Sequence, residues 1–129
     1  MKLIVISHGN LSAESLSLAQ QMVKSEISAQ ALSFGHEQEP EEFSKELVSL
    51  IKAFGPEEQV LILTDLFGGT PSNLSIPLLE EGRVELLTGL NLSILLYVLS
   101  QPLSKDFKKL CEGAKKAGVE SVVLAGEFL

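Results

Sequence analysis

Runs of apolar residues alternate with stretches of helical periodicity along the whole chain. Leu3-Ile4-Val5-Ile6 predicts a buried strand that ends at Ser7-His8-Gly9. A helix is expected from about Ser12 to Lys24, with Leu16, Ala19 and Val23 on one face. Ala29 to Phe34 reads as a weaker second strand. Pro40 then suits a first helical turn whose Glu39, Glu41 and Glu42 complement the helix N-terminus. Phe43, Leu47, Leu50, Ile51 and Phe54 recur at three- and four-residue spacing, so this helix is amphipathic, and Gly55-Pro56 stops it. Val60 to Leu63 and Val84 to Thr88 are the third and fourth strands. Between them a helix runs from about Pro71 to Leu79, kinked or shortened by Pro77. Leu92 to Leu99 predicts an apolar helix. A last helix, about Ser104 to Ala117, buries Phe107, Leu110, Cys111 and Ala114 and exposes Lys105, Lys108, Lys109, Lys115 and Lys116. Val122-Val123-Leu124 reads as a terminal strand.

Strands that alternate with helices imply βαβ units, hence a doubly wound, mainly parallel α/β sheet covered by helices on both faces. Ligands of such sheets bind beyond the carboxyl ends of the strands. That directs attention to the loops at Ser7-His8-Gly9, Gly35-His36, Thr64 to Pro71 and Gly89-Leu90-Asn91. At 129 residues the chain is expected to be one domain spanning 1–129. Its net charge of −7 argues against a nucleic-acid partner, which requires a basic surface. Cys111 is the only cysteine, so no internal disulfide forms. The opening MKLIVIS is too short an apolar run for a signal peptide, and no run approaches the roughly 20 residues that span a bilayer. These features predict a cytoplasmic protein.

Within the candidate loops, His8 follows a buried strand and precedes a glycine, a place where an imidazole serves as a neutral nucleophile or merely closes a turn. Asp65 follows the third strand. If strands one and three are neighbours, its carboxylate accepts one ring N–H of His8, sets the tautomer and aims the other nitrogen outwards. Taken alone, Asp65 is equally a capping or turn aspartate. Gly68-Gly69-Thr70-Pro71-Ser72-Asn73 reads as loop, N-cap and first turn, with Thr70 as N-cap and Pro71 as the first helical residue. The free amides of such a turn hold a phosphate without a lysine. Jointly, a histidine, an orienting carboxylate and an anion seat describe a phosphohistidine site. His36, followed by the acidic Glu37 to Glu42 run, reads as a solvated loop histidine.

Other classes fit less well. The lysine of a P-loop and the glycines of a dinucleotide fingerprint are missing. A receiver domain needs an acidic pair where Ser7-His8-Gly9 stands, and a histidine phosphatase needs arginine in place of Ser7. A small tetrapyrrole chelatase shares the His-Gly pair but leaves TDLFGGTPSN unexplained. A regulatory module displaying a modifiable histidine also remains open.

VISHGNLSAESL, LILTDLFGGTPSNLS and LLTGLNLSILL resemble, in order and spacing, the three signature blocks of the mannose-family enzyme IIA domain of the bacterial sugar phosphotransferase system (PTS). The resemblance covers essentially the whole chain. It implies a parallel sheet of order 2-1-3-4 and a C-terminal antiparallel edge strand exchanged in a homodimer. It further implies phosphorylation of His8 at Nε2 by the phosphocarrier protein HPr, with onward transfer to an enzyme IIB that serves the membrane IIC and IID subunits. Asp65 then holds the ring's δ nitrogen. Gly68, Gly69, Thr70 and Ser72 surround the phosphoryl group, while Phe67 and Asn91 face docking partners. No cofactor or metal is implied. Ser93 and Ile94 depart from the proline and methionine usual after the asparagine of the third block. The sugar itself is not written in the sequence.

Overall fold

The computed structural model describes residues 1–129. Four strands form one parallel sheet: β1 (Lys2–His8), β2 (Ser28–Phe34), β3 (Val60–Thr64) and β4 (Val84–Thr88), in the order β2-β1-β3-β4. Helices α1 (Leu11–Met22), α2 (Pro40–Ala53), α3 (Thr70–Ser75), α4 (Leu92–Ser100) and α5 (Phe107–Glu120) connect or follow them. None is long and apolar enough to cross a membrane.

The two-residue period of the strands divides the core between the two faces of the sheet. Leu3 and Val5 of β1 and Leu61 and Leu63 of β3 pack with Leu16 and Ala19 of α1, Leu95, Val98 and Leu99 of α4, and Leu110 and Ala114 of α5. Ile4, Ile6, Val60, Ile62 and Val84 pack on the opposite face against Phe43, Leu47 and Ile51 of α2. The central strands β1 and β3 are buried on both faces, which is why they are apolar runs without polar alternation, while the edge strand β2 keeps exposed polar residues.

Placement of the chemistry follows from register. Ile6 of β1 lies opposite Thr64 of β3, and His8, the last residue of β1, lies opposite Phe34, the last of β2. The carboxyl ends of the three strands therefore deliver His8, Phe34 and Asp65 to one edge of the sheet.

Three expectations are revised, and a fourth, the shortening of the helix at Pro77, holds. Thr70 is the first helical residue of α3, not its N-cap; Gly69 takes that position in an extended conformation, and Pro71 falls in the first turn. Pro77 ends α3 at Ser75, and the chain continues as a short 3₁₀ turn at Ile76–Leu78. Helix α5 starts later than the apolar pattern indicates, because the Asp106 side chain accepts the Lys109 N–H at 3.0 Å and caps it, and it runs further, to Glu120. Val122-Val123-Leu124 forms no strand: it lacks a ladder partner within the chain and leads into a 3₁₀ turn at Ala125–Phe128.

Candidate functional site

Two bonds to a single oxygen hold His8. Asp65 Oδ2 accepts the His8 backbone N–H at 3.0 Å and lies 2.8 Å from ring Nδ1, while Oδ1 accepts the Leu66 N–H at 2.9 Å. The carboxylate is nearly enclosed whereas the imidazole is 45% exposed. An ionised carboxylate only accepts hydrogen bonds, so Nδ1 carries the proton and Nε2 presents its lone pair to the opening. Burial raises the Asp65 carboxyl, but the His8 ring, the His8 and Leu66 amides and the His8 charge together outweigh it. The group therefore lies below the ordinary aspartate value.

The turn after β1 is braced from both sides. Ser7 Oγ accepts the Ser12 N–H at 2.7 Å, capping the start of α1, and donates to the Gly9 carbonyl. Ser33 Oγ donates to the same carbonyl at 2.6 Å. Gly9 itself has φ +59°, a conformation that glycine adopts freely. Phe34 meets the His8 ring edge-on, with centroids 6.3 Å apart, and is in turn packed edge-on by Phe43. Hydrogen bonding and packing thus fix both the tautomer and the tilt of the imidazole.

The glycine loop closes over the other side of the ring. A Cβ on Gly69 would stand 3.0 Å from His8 Cε1 and 3.7 Å from Nε2, so a side chain here would push on the ring, and glycine leaves it in place. Gly68 adopts φ +85°. Ser72 was expected around a phosphoryl group, but its side chain is fully buried. Its Oγ accepts the Gly68 N–H at 2.9 Å and donates to the Gly69 carbonyl at 3.0 Å, so the hydroxyl builds the loop from within. Asn73 adds a bond from its side-chain amide to the Gly68 carbonyl. The backbone amides of Thr70 and Ser72 donate to no group in the protein.

A cavity of about 220 Å³ opens over the histidine, lined by His8, Gly9, Phe34, Gly35, His36 and Thr70. The structure thus brings His8, Asp65, Gly69 and Thr70 together as the sequence implies. It adds Phe34, to which the sequence reading gave no role, and His36, which it took for a solvated loop histidine. Phe34 was hidden because its role depends on the register of β1 with β2. His36 is exposed, as expected, yet it is part of the same wall. Phe67 projects beside the site, 78% exposed, with Leu66 next to it. Asn91 is engaged within the chain: its Oδ1 caps α4 through the Ile94 N–H, and its amide donates to the Gly118 carbonyl and Ser121 Oγ. No three His, Cys, Asp or Glu side chains converge as a metal-holding group.

Residues 2–115 match the EIIA-man family, described as the PTS system fructose IIA component. Over 80 residues the chain is 36% identical to the PTS system fructose-specific EIIA component of Bacillus subtilis (strain 168), an overlap of 61% of this chain and 55% of that protein. The match thus spans about half the length of that relative. The mannose/sorbose specific IIA subunit of the phosphotransferase system from Enterococcus faecalis superposes with a TM-score of 0.86 at 27% identity, covering 95% of this chain and 92% of that one. The phosphotransferase system component EIIA from Streptococcus agalactiae superposes at 0.81 and 26% identity, covering 98% and 99%. With the family match running through all four strands and into α5, the chain belongs to the EIIA-man family of sugar phosphotransferase IIA components.

Proposed function

We propose that this chain is a phosphoryl carrier for sugar uptake, taking a phosphoryl group from phospho-HPr on His8 and passing it to an enzyme IIB. The observation that carries the reading is the His8–Asp65 pair, with Nδ1 held at 2.8 Å and Nε2 free. In the transfer, the Nε2 lone pair forms the new P–N bond while the P–N bond of the donor histidine breaks. The released electron pair returns to the donor ring. Asp65 keeps its hydrogen bond throughout and offsets the positive charge that His8 gains. Such a transfer depends on aim and on charge stabilisation more than on covalent machinery. Gly68 and Gly69 admit the phosphoryl group close to the backbone, and the Thr70 hydroxyl and amide receive its oxygens.

The donor and the acceptor both have to approach and leave. Leu11, Leu66 and Phe67 are exposed apolar side chains close in sequence to His8 and Asp65, and they form the contact for these transient partners. The exposed tail at Val122-Val123-Leu124 pairs with a second copy of the chain.

The test is incubation with phosphoenolpyruvate, enzyme I and HPr. An acid-labile mass gain of one phosphate that disappears in His8→Ala supports the reading. A wild-type chain that gains no phosphate overturns it.

A further inference from the structure

We propose that His36 is a second functional histidine of the site, donating a hydrogen bond from its ring to the phosphoryl group carried by His8. The inference rests on the phosphoryl-carrier reading of His8 and adds the group that neutralises charge there.

The argument starts from what the cavity lacks. Its wall contains neither lysine nor arginine. A phosphoryl group on His8 brings negative charge beside the ionised Asp65 carboxylate, in a chain whose net charge is already −7. During transfer that charge spreads over the phosphoryl oxygens, where a cationic or strongly donating group is most effective. Amides at the start of α3 supply part of this, but that helix is only six residues long before Pro77 tightens it. No lysine or arginine lines this cavity, and two that lie elsewhere are placed by the structure. Arg83 is held by Glu80 and by the carbonyls of Gly55 and Glu58, and Lys115 lines a separate cavity with Thr88 and Gly89. Among the six lining residues, His36 is the one apart from His8 whose side chain carries a proton-bearing ring nitrogen.

The fold accounts for its position. His8 and Phe34 are register partners at the ends of β1 and β2, so the chain leaving β2 starts beside the reactive ring. The Gly9 N–H donates to the Phe34 carbonyl at 3.3 Å and ties the two strand ends together. A turn follows, with the Gln38 N–H donating to the Gly35 carbonyl at 3.2 Å and the Gly35 N–H donating to Gln38 Oε1 at 3.4 Å. His36 is carried on that turn into the lining of the cavity, which it shares with His8 and Thr70. A histidine suits the task. It donates to a phosphoryl oxygen, gains strength when it takes a second proton, and still releases the group, since its charge is not permanent. It takes no part in the covalent exchange: the donor's P–N bond breaks and the His8 P–N bond forms without any proton crossing to His36.

The experiment compares wild type, His36→Ala, His36→Gln and His36→Lys for the initial rate of His8 phosphorylation by phospho-HPr, and records the ring ¹⁵N resonances of His36 before and after phosphorylation. His36→Ala is expected to slow transfer about tenfold, the loss typical of one hydrogen bond to a charged group. His36→Gln should recover part of the rate and His36→Lys most of it. The His36 ring resonances should move towards the imidazolium form when His8 is phosphorylated. An unchanged rate in His36→Ala overturns the proposal and leaves the carrier reading standing. A slowed rate with unmoved ring resonances also overturns it, assigning His36 to partner docking. A wild-type chain that accepts no phosphate overturns both readings.

Discussion

Gly69 lies against the imidazole of His8 so closely that a methyl group at residue 69 would stand 3.0 Å from Cε1 and 3.7 Å from Nε2. The backbone at Gly69 has φ −74° and ψ 166°, which alanine adopts without strain. Gly69→Ala is therefore a steric probe of the ring alone. The ring has to shift by a few tenths of an ångström, away from the geometry that Asp65 and Phe34 impose. Phosphorylation of His8 should slow by about tenfold, because small misplacements of a reacting atom are costly. The melting temperature should remain close to that of wild type. A normal transfer rate in this variant would show that the loop yields and that the contact is incidental.

Asp65 links the site to acid stability. Its folded-state pKa lies below the ordinary value, the case in which ionisation stabilises the native chain. Its contribution is complete above the unfolded aspartate value of about 4 and is lost as pH falls through the lower folded value. Asp65→Asn has no such titration. Denaturation midpoints measured from neutral pH down to about 3 should fall less steeply for the variant than for wild type. At neutral pH the same variant should transfer phosphate slowly, because an asparagine offers either ring tautomer a partner and leaves the charge on His8 uncompensated. Parallel acid limbs for the two proteins would remove the stabilising role.

The strands and the loops that carry His8 and Asp65 were legible because they depend on apolar runs and on the general behaviour of parallel sheets, whereas the strand order that makes those loops neighbours was implied only by the family resemblance. Strands that alternate with helices imply parallel pairing, and the adjacency of β1 and β3 brings the two loops together. What escaped depended on side-chain direction. The sequence SNL after Pro71 does not say that Ser72 turns inward, since its direction is set by the first turn of α3 and by the Gly68 N–H that it satisfies. Phe34 and His36 became part of the site only through the register of His8 with Phe34 and the turn at Gly35. Val122-Val123-Leu124 has strand composition, but composition supplies no ladder partner.

The two hydroxyls of the loop can be separated. Ser72→Ala removes the acceptor of the Gly68 N–H and the donor to the Gly69 carbonyl, both partly buried. It should lower stability by about 1–2 kcal/mol in chemical denaturation and reduce transfer only to the extent that the loop loosens. Thr70→Val keeps the volume of a residue that lines the cavity while removing its hydroxyl. It should leave stability nearly unchanged and slow phosphorylation by about tenfold, the loss of one hydrogen bond to a charged group. The reverse pattern, with Ser72→Ala stable and slow and Thr70→Val unstable and fast, would exchange the two assignments.

The C-terminal tail presents Val122 at 82%, Leu124 at 70% and Phe128 at 79% exposure, an apolar series that a lone chain leaves in water. β4 forms one edge of the sheet, with backbone groups available to a further strand. Beside it, Leu87, Ile94, Val119 and Val122 line an open cavity near the carboxyl end of that strand. Pairing the tail of one copy with the β4 edge of another would satisfy the edge and cover the apolar side chains in one step. Sedimentation at micromolar concentration should find a dimer for the intact chain and a monomer after deletion of residues 122–129. Val123→Asp should weaken the dimer, since it places a charge in the middle of the paired segment. His8 and Asp65 both come from one chain, so the truncated protein should still accept phosphate at its histidine. A monomeric intact chain would rule out the pairing, and a truncated chain that remains dimeric would move the interface elsewhere.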